Sequence, residues 1–311
     1  MTAFVTADHT GRFRTFQGVV EIPLSVQADG PLLIKGPAAA LPDRPDAAFV
    51  RYPASDGLGL VPYLPGSSLK GVLRSGSEAL LLALGRPVCN PLETRRRCGE
   101  QTGRRGTAGV WSDRCPACLT YGSVQGASVV LIDDGLPWRP AEPATVRAAR
   151  VAALERQSAV RSNVAIDRQT GAADSGKLFD YEVLVGACFY PALRLRNASP
   201  WQAALVAAAI GLLDDGTLRL GSQSSKGLGR VRVTAEAVVI RFIDAGPSAR
   251  VARLLDAGGF TEPEQDGILT VRRSDDPSAT LAAWSAELAA WLPDDRDGRG
   301  GERGGRGGER R

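Results

Sequence analysis

The stretch Tyr63–Gly85, YLPGSSLKGVLRSGSEALLLALG, constrains the fold more than any other. It opens on a chain break, Pro65-Gly66 followed by Ser67-Ser68, and continues as a helix. Leu69, Val72, Leu73, Leu80, Ala83 and Leu84 recur near one face at the helical period. A serine oxygen at Ser67 or Ser68 suits the N-cap, where it accepts an orphan backbone N–H. Gly85 and Pro87 supply the stop. The opposite face carries Lys70 and Arg74, one turn apart. Free N–H groups, the positive end of the dipole and two cations then meet in one place, an arrangement suited to a phosphate. An amphipathic core helix with a solvated basic edge satisfies the same pattern. Gly71 and Gly76 each weaken the helix by about 1 kcal/mol relative to Ala, which makes sense if something approaches that turn closely. The order is not that of a Walker A loop, because Lys70 precedes Gly71.

A chain of 311 residues forms one large domain or two smaller ones and needs no disulfides to stay folded. The net charge of +4 is compatible with nucleic acid without pointing to it. No apolar run is long enough to span a membrane. The N-terminus, MTAFVTADHTGRFRTF, lacks the pattern of a secretory signal, so the expected compartment is the cytoplasm. The single histidine, His9, excludes a two-histidine acid–base nuclease within one chain.

Strand patterns cover Arg12–Lys35, Val124–Asp133, Lys177–Asn197 and Val231–Ile243, and a short strand is expected at Ala47–Val50. Pro137–Arg161 reads as irregular, and Asn163–Gly176 as an exposed hairpin tip. A second helix opens at Pro200-Trp201 and ends at Asp215-Gly216; Leu220–Arg230, LGSQSSKGLGR, is a Gly/Ser loop. Beyond it, residues 247–293 form a helical extension with candidates at Ser248–Leu255 and Ser278–Trp291. Residues 294–311, an RGG-like tail without apolar side chains, are expected to be disordered. The element order is that of a split βαβ plan. The expected fold is therefore α+β, a ferredoxin-like antiparallel sheet with both helices on one face.

Residues 86–120 are polar, rich in arginine and poor in core. They hold Cys89, Cys98, Cys115 and Cys118, a C-x-x-C knuckle with two cysteines upstream. A cytosolic chain should not hold structural disulfides, and this pattern is that of a four-cysteine zinc site. Bound Zn2+ can supply on the order of 10–16 kcal/mol to a segment that cannot fold by packing. Cys188, in a strand, reads as a small core residue.

Several of these stretches together resemble the RAMP superfamily: PYLPGSSLKGVLRS, CPACLTYGS, NVAIDRQTGAADSGKLFDYEVLVGACF and LGSQSSKGLGRV. Within it they look like the backbone RNA-binding subunits of type III CRISPR effector complexes. The matches follow the family's order over roughly residues 16–243. The resemblance implies an RRM-like core over 1–246, with a zinc-bearing insertion at 86–120 and a thumb region at 137–176. It also implies head-to-tail stacking with other CRISPR effector subunits along a guide RNA, with no membrane involved. Ser67, Ser68, Lys70 and Arg74 would meet guide-RNA phosphates. Gly221, Ser224, Lys226, Gly227, Gly229 and Arg230 would form a backbone cradle, and Arg168 at the hairpin tip is a further candidate. Few aromatics lie near these motifs, which favours sequence-independent backbone binding over base stacking.

The family's cutting subunits place an aspartate in the loop before this helix. Here Asp46 is the match, with Asp43 as the alternative because the segment GPAAALPDRP is inserted. The implied chemistry is in-line attack of the RNA 2′-OH, with Asp46 and a divalent Mg2+ or Mn2+ positioning or activating it on a complementary target RNA. A turn-forming or solvated aspartate is the competing reading. A non-catalytic RNA-binding subunit and a free guide-RNA processing nuclease are the alternative functions. The lone histidine disfavours the last.

Overall fold

The computed structural model describes residues 15–36, 45–54, 57–93, 97–98, 114–124, 126–166, 168–169, 173–243 and 247–293. The chain runs β1 (Val19–Ala28), β2 (Pro31–Leu32), β3 (Arg51–Pro53), β4 (Leu60–Pro62), α1 (Gly66–Ala83) and α2 (Pro116–Tyr121). It continues with β5 (Val130–Ile132), α3 (Ala144–Arg156), β6 (Ser158–Ile166), β7 (Ala173–Val185), β8 (Cys188–Phe189), β9 (Ala192–Arg196) and α4 (Pro200–Asp214). The last elements are β10 (Val231–Ala235), β11 (Val239–Ile243), α5 (Ala249–Asp256), β12 (Glu264–Asp266), β13 (Leu269–Arg273), α6 (Pro277–Ala286) and α7 (Leu288–Trp291).

Strand β1 alternates strictly, sending Val20, Ile22, Leu24, Val26 and Ala28 inward as a strand with one buried face must. It pairs antiparallel with β9 on one side and β11 on the other, and β5 lies outside β9. The order β11-β1-β9-β5 is the ferredoxin-like one, all neighbours antiparallel. The further half of β1 carries β10 and β8. Helix α4 is buried almost all round and lies between α1 and the pair α6–α7. A capping box of Ser199 and Gln202 starts it.

Several expectations are corrected. Helix α1 begins at Gly66 with Pro65 at its N-cap, so neither Ser67 nor Ser68 caps it. Its buried stripe is Leu69, Leu73, Gly76, Ser77 and Leu81, while Ala83 and Leu84 are exposed. Gly76 is where another chain segment approaches, since a Cβ there would meet Leu218 Cδ1 at 2.4 Å; nothing lies within 4 Å of one at Gly71. The long strand expected over 177–197 is three strands, broken at Gly186-Ala187 and before Ala192. The expected strand at Ala47–Val50 is reduced to single bridges, Ala47 with Tyr181 and Phe49 with Lys35. Helix α3 replaces part of the stretch read as irregular; only Leu154 of it is buried, so it shows no apolar stripe to read. The C-terminal extension is not purely helical. Its hairpin β12–β13 lengthens the main sheet beyond β11, and Trp284 is fully buried beside α5, donating from Nε1 to Leu254 O at 3.1 Å. Cys188 is only half-buried.

Strands β6 and β7 form a long hairpin, and β2 pairs with β7 to make a separate three-stranded sheet. One face of β7 packs Tyr181 and Val183 against Leu33 and Leu228, a second small core. Asp43 and residues 294–311 lie outside the described residues.

Candidate metal centre and nucleic-acid interface

The sulfur atoms of Cys89, Cys98, Cys115 and Cys118 all lie within 4.8 Å of one another. Tetrahedral zinc, with Zn–S about 2.3 Å, needs sulfurs roughly 3.8 Å apart, so the donor set and spacing fit. Three separate pieces of backbone supply them: the exit of α1, the loop at Cys98, and Cys115 with Cys118 at the start of α2. The last two are buried. Hydrogen bonds from Cys118 and Cys98 hold the Cys115 thiol far down, whereas the bond to Cys115 pushes Cys98 up to about 12. Thiols this close cannot all ionise unless a cation compensates their charge. Arg74 Nη2 donates to Cys118 Sγ at 3.5 Å. The knuckle is held to the helical layer by Ser77 Oγ and Tyr121 Oη at 2.8 Å, and by Gln202 Nε2 donating to Leu119 O at 3.0 Å.

The start of α1 is already occupied by the protein. The Gly66 N–H donates to Asp134 Oδ1 at 2.8 Å, placing a carboxylate where an anion would sit. A Cβ on Gly66 would lie 2.3 Å from Ile132 O, so only glycine lets this turn meet the end of β5. Lys70 Nζ donates to Ser128 Oγ at 2.9 Å and Val130 O at 3.1 Å. Burial, then the nearby Arg74, lowers its pKa. Arg74 also donates to Glu78 Oε1 at 2.7 Å and Gly122 O at 3.1 Å. The two cations therefore tie α1 to β5 and to the cysteine knuckle. Ser67 is exposed and Ser68 half-buried.

The Gly/Ser loop is partly closed on the chain itself. Ser222 N–H donates to Leu33 O at 2.8 Å and Gly229 N–H to Pro31 O at 2.9 Å. Gly221 and Gly229 both have positive φ, and a Cβ on either would come within 2.3 Å of a carbonyl of this chain, Leu33 or Leu220. Their close approach is to protein backbone. Arg230 pairs with Asp29, Nε to Oδ2 at 3.1 Å. Ser224, Lys226 and Gly227 stay exposed on a 3-10 turn. Lys226 Nζ stands 5.6 Å from the ring centre of Phe179 on β7. The fold thus brings an aromatic to a motif that has few near it in sequence. Arg168 is exposed in the turn joining β6 and β7.

Asp46 is exposed, and its Oδ2 accepts the Asp180 N–H at 3.0 Å. Its loop is zipped alongside β7: Ala47 N–H donates to Asp180 O, and Glu182 N–H to Ala47 O. Below this, Glu182 takes two bonds from Arg51, at 2.7 and 2.5 Å, one from Ser158 Oγ at 2.7 Å and one from Phe49 N–H at 2.9 Å. Burial would raise the Glu182 carboxyl; these donors outweigh it and hold it down at about 2. This buried clamp is not visible in sequence, because Arg51 and Glu182 are 131 residues apart. Asp46, Phe179, Asp180 and Lys226 consequently converge midway along the β6–β7 hairpin.

A ferredoxin-like sheet, a cluster of four cysteines spaced to suit a metal ion and a long hairpin define an α+β protein. The model of the RAMP superfamily matches residues 26–232, from the end of β1 into β10, and takes in the four cysteines, the β6–β7 hairpin, Asp46 and the Gly/Ser loop. The chain belongs to the RAMP superfamily, whose members are generally CRISPR-associated and RNA-binding. No curated protein matches it significantly. Among the described residues no helix is long and apolar enough to cross a membrane.

Proposed function

We propose that this chain is a backbone subunit of a type III CRISPR ribonucleoprotein. It binds guide RNA along the ribose-phosphate without sequence preference, stacks head-to-tail with other effector subunits, and cleaves complementary target RNA. A structural Zn2+ on Cys89, Cys98, Cys115 and Cys118 holds the insertion. The observation that carries the reading is the convergence of Asp46, the middle of the β6–β7 hairpin and the exposed turn Ser224–Gly227. Cationic and backbone donors suit phosphates, and the absence of a built base-edge reader among the described residues suits variable guides.

Asp46 is the candidate catalytic residue. One of its oxygens is fixed by the Asp180 N–H; the other has no partner among the described residues and is left for a 2′-OH or a hard cation. Carboxylate oxygens suit Mg2+ or Mn2+, and such an ion would neutralise charge at the scissile phosphate. The chain's own contribution is to hold the carboxylate still through the parallel zipper to β7 and the Arg51–Glu182 clamp. A second reading, RNA binding without cleavage, is favoured by the same Asp180 N–H bond, which gives Asp46 a structural task.

The test uses the assembled complex with guide RNA, a complementary target and Mg2+ or Mn2+, with and without EDTA. Metal-dependent cleavage that is lost in Asp46→Ala and kept in Asp43→Ala is the expected result. Full cleavage by Asp46→Ala would place the chemistry elsewhere. No cleavage by the unmutated complex would leave the non-catalytic reading.

A further inference from the structure

Phe179 stands out on the β6–β7 hairpin. Along one face of β7, Val183 and Tyr181 are buried in the small core, and Phe179, next on that face, is 36% exposed. Directly across from it on β6 is Asn163, and Arg161 on the same face is exposed. The Asn163 Nδ2 donor is shielded from water and finds no partner among the described residues. Lys226 caps the ring and makes no ion pair among the described residues, and Gly227 beside it has nothing within 4 Å of an added Cβ. An exposed ring and two cations share one open face.

From this face we infer a subsite for a single unstacked nucleobase, with the Phe179 ring as its platform. The inference rests on the RNA-binding reading and deepens it. The Lys226 contact lies near the outer limit of a cation–π interaction and is weak at an exposed site. A base stacked on the ring is the stronger contact, and every base has a face to offer. RNA binding exchanges the two: the ammonium moves to a phosphate and a base takes the ring. Because a phenyl ring has no polar edge, the subsite accepts any base, and it excludes bases held within a duplex stack.

The experiment measures binding of a fluorescent single-stranded oligouridylate to the full chain by anisotropy, beside an abasic ribose-phosphate oligomer of equal length and charge. Phe179→Ala should weaken oligouridylate binding about ten-fold, leave the abasic oligomer unaffected and leave the salt slope unchanged. Phe179→Leu, which keeps the packing but removes the ring face, should behave the same way, and Phe179→Trp should restore affinity. Lys226→Ala should weaken both oligomers and lower the salt slope by about one contact. If Phe179→Leu binds both oligomers as the unmutated chain does, or loses both equally, the subsite is wrong while RNA binding stands. If the unmutated chain binds neither oligomer, the RNA-binding reading fails and the subsite fails with it.

Discussion

Lys70 and Lys226 read alike in the sequence, each beside glycine and serine in a motif suited to phosphates. In the fold they differ. Lys70 is half-buried with two protein acceptors on β5 and the turn before it, whereas Lys226 is exposed over an aromatic ring. Lys70→Met should therefore lower stability by about 1–3 kcal/mol without changing the salt slope of RNA binding. Lys226→Ala should change stability by less than about 0.5 kcal/mol. Denaturant unfolding beside salt titrations separates the two; equal slopes lost in both variants would contradict the assignment. The sequence could not distinguish them, because the partners of Lys70 lie 58 and 60 residues away. Glu182 offers a pH test. Its folded carboxyl is held at about 2, below the unfolded value of about 4.3. Its stabilising contribution is complete above the unfolded value and is lost as pH falls through the folded one. Between those two values the unmutated chain should lose stability more steeply than Glu182→Gln; parallel profiles would contradict the clamp.

Among the elements, the cysteine knuckle was the most legible, since a C-x-x-C in a segment without apolar periodicity leaves few other ways to fold. What the sequence could not convey is its anchorage. Gln202 of α4 and Ser77 of α1 bind α2 directly, so metal loss should loosen the helical layer as well as the insertion. We expect one zinc per chain after chelator washing, and a fall in melting temperature when the metal is stripped. Clearly substoichiometric zinc with four freely titratable thiols would contradict the site. The Gly/Ser loop was legible as a loop and misread in its reason. Gly229→Ala should destabilise by about 1–3 kcal/mol from backbone strain alone, with more added by the clash at Leu220 O. A neutral Gly229→Ala, measured by denaturant unfolding, would mean that the loop is not closed on β2 as described. Helix α1 was read correctly as a helix, but its N-terminus meets Asp134. An aspartate so far along the chain carries no local signal that it caps a helix.

At the scale of the whole molecule, the ferredoxin-like order followed from the succession of strand and helix patterns, because few antiparallel sheets accommodate that succession. The hairpin β12–β13 did not follow. Its outer strand is exposed and charged, and such a strand shows no apolar alternation even though it extends the sheet. The convergence of Asp46, the middle of the β6–β7 hairpin and the exposed turn is likewise a property of the fold, assembled from segments distant in sequence. That convergence is the centre of the account, and photo-crosslinking locates the RNA on it most directly. RNA carrying 4-thiouridine is bound to the full chain, irradiated, and the attached peptides are identified by mass spectrometry. The account predicts crosslinks in the segments 45–51 and 222–230. Crosslinks confined to α5–α7 and the β12–β13 hairpin, with none in those two segments, would contradict it.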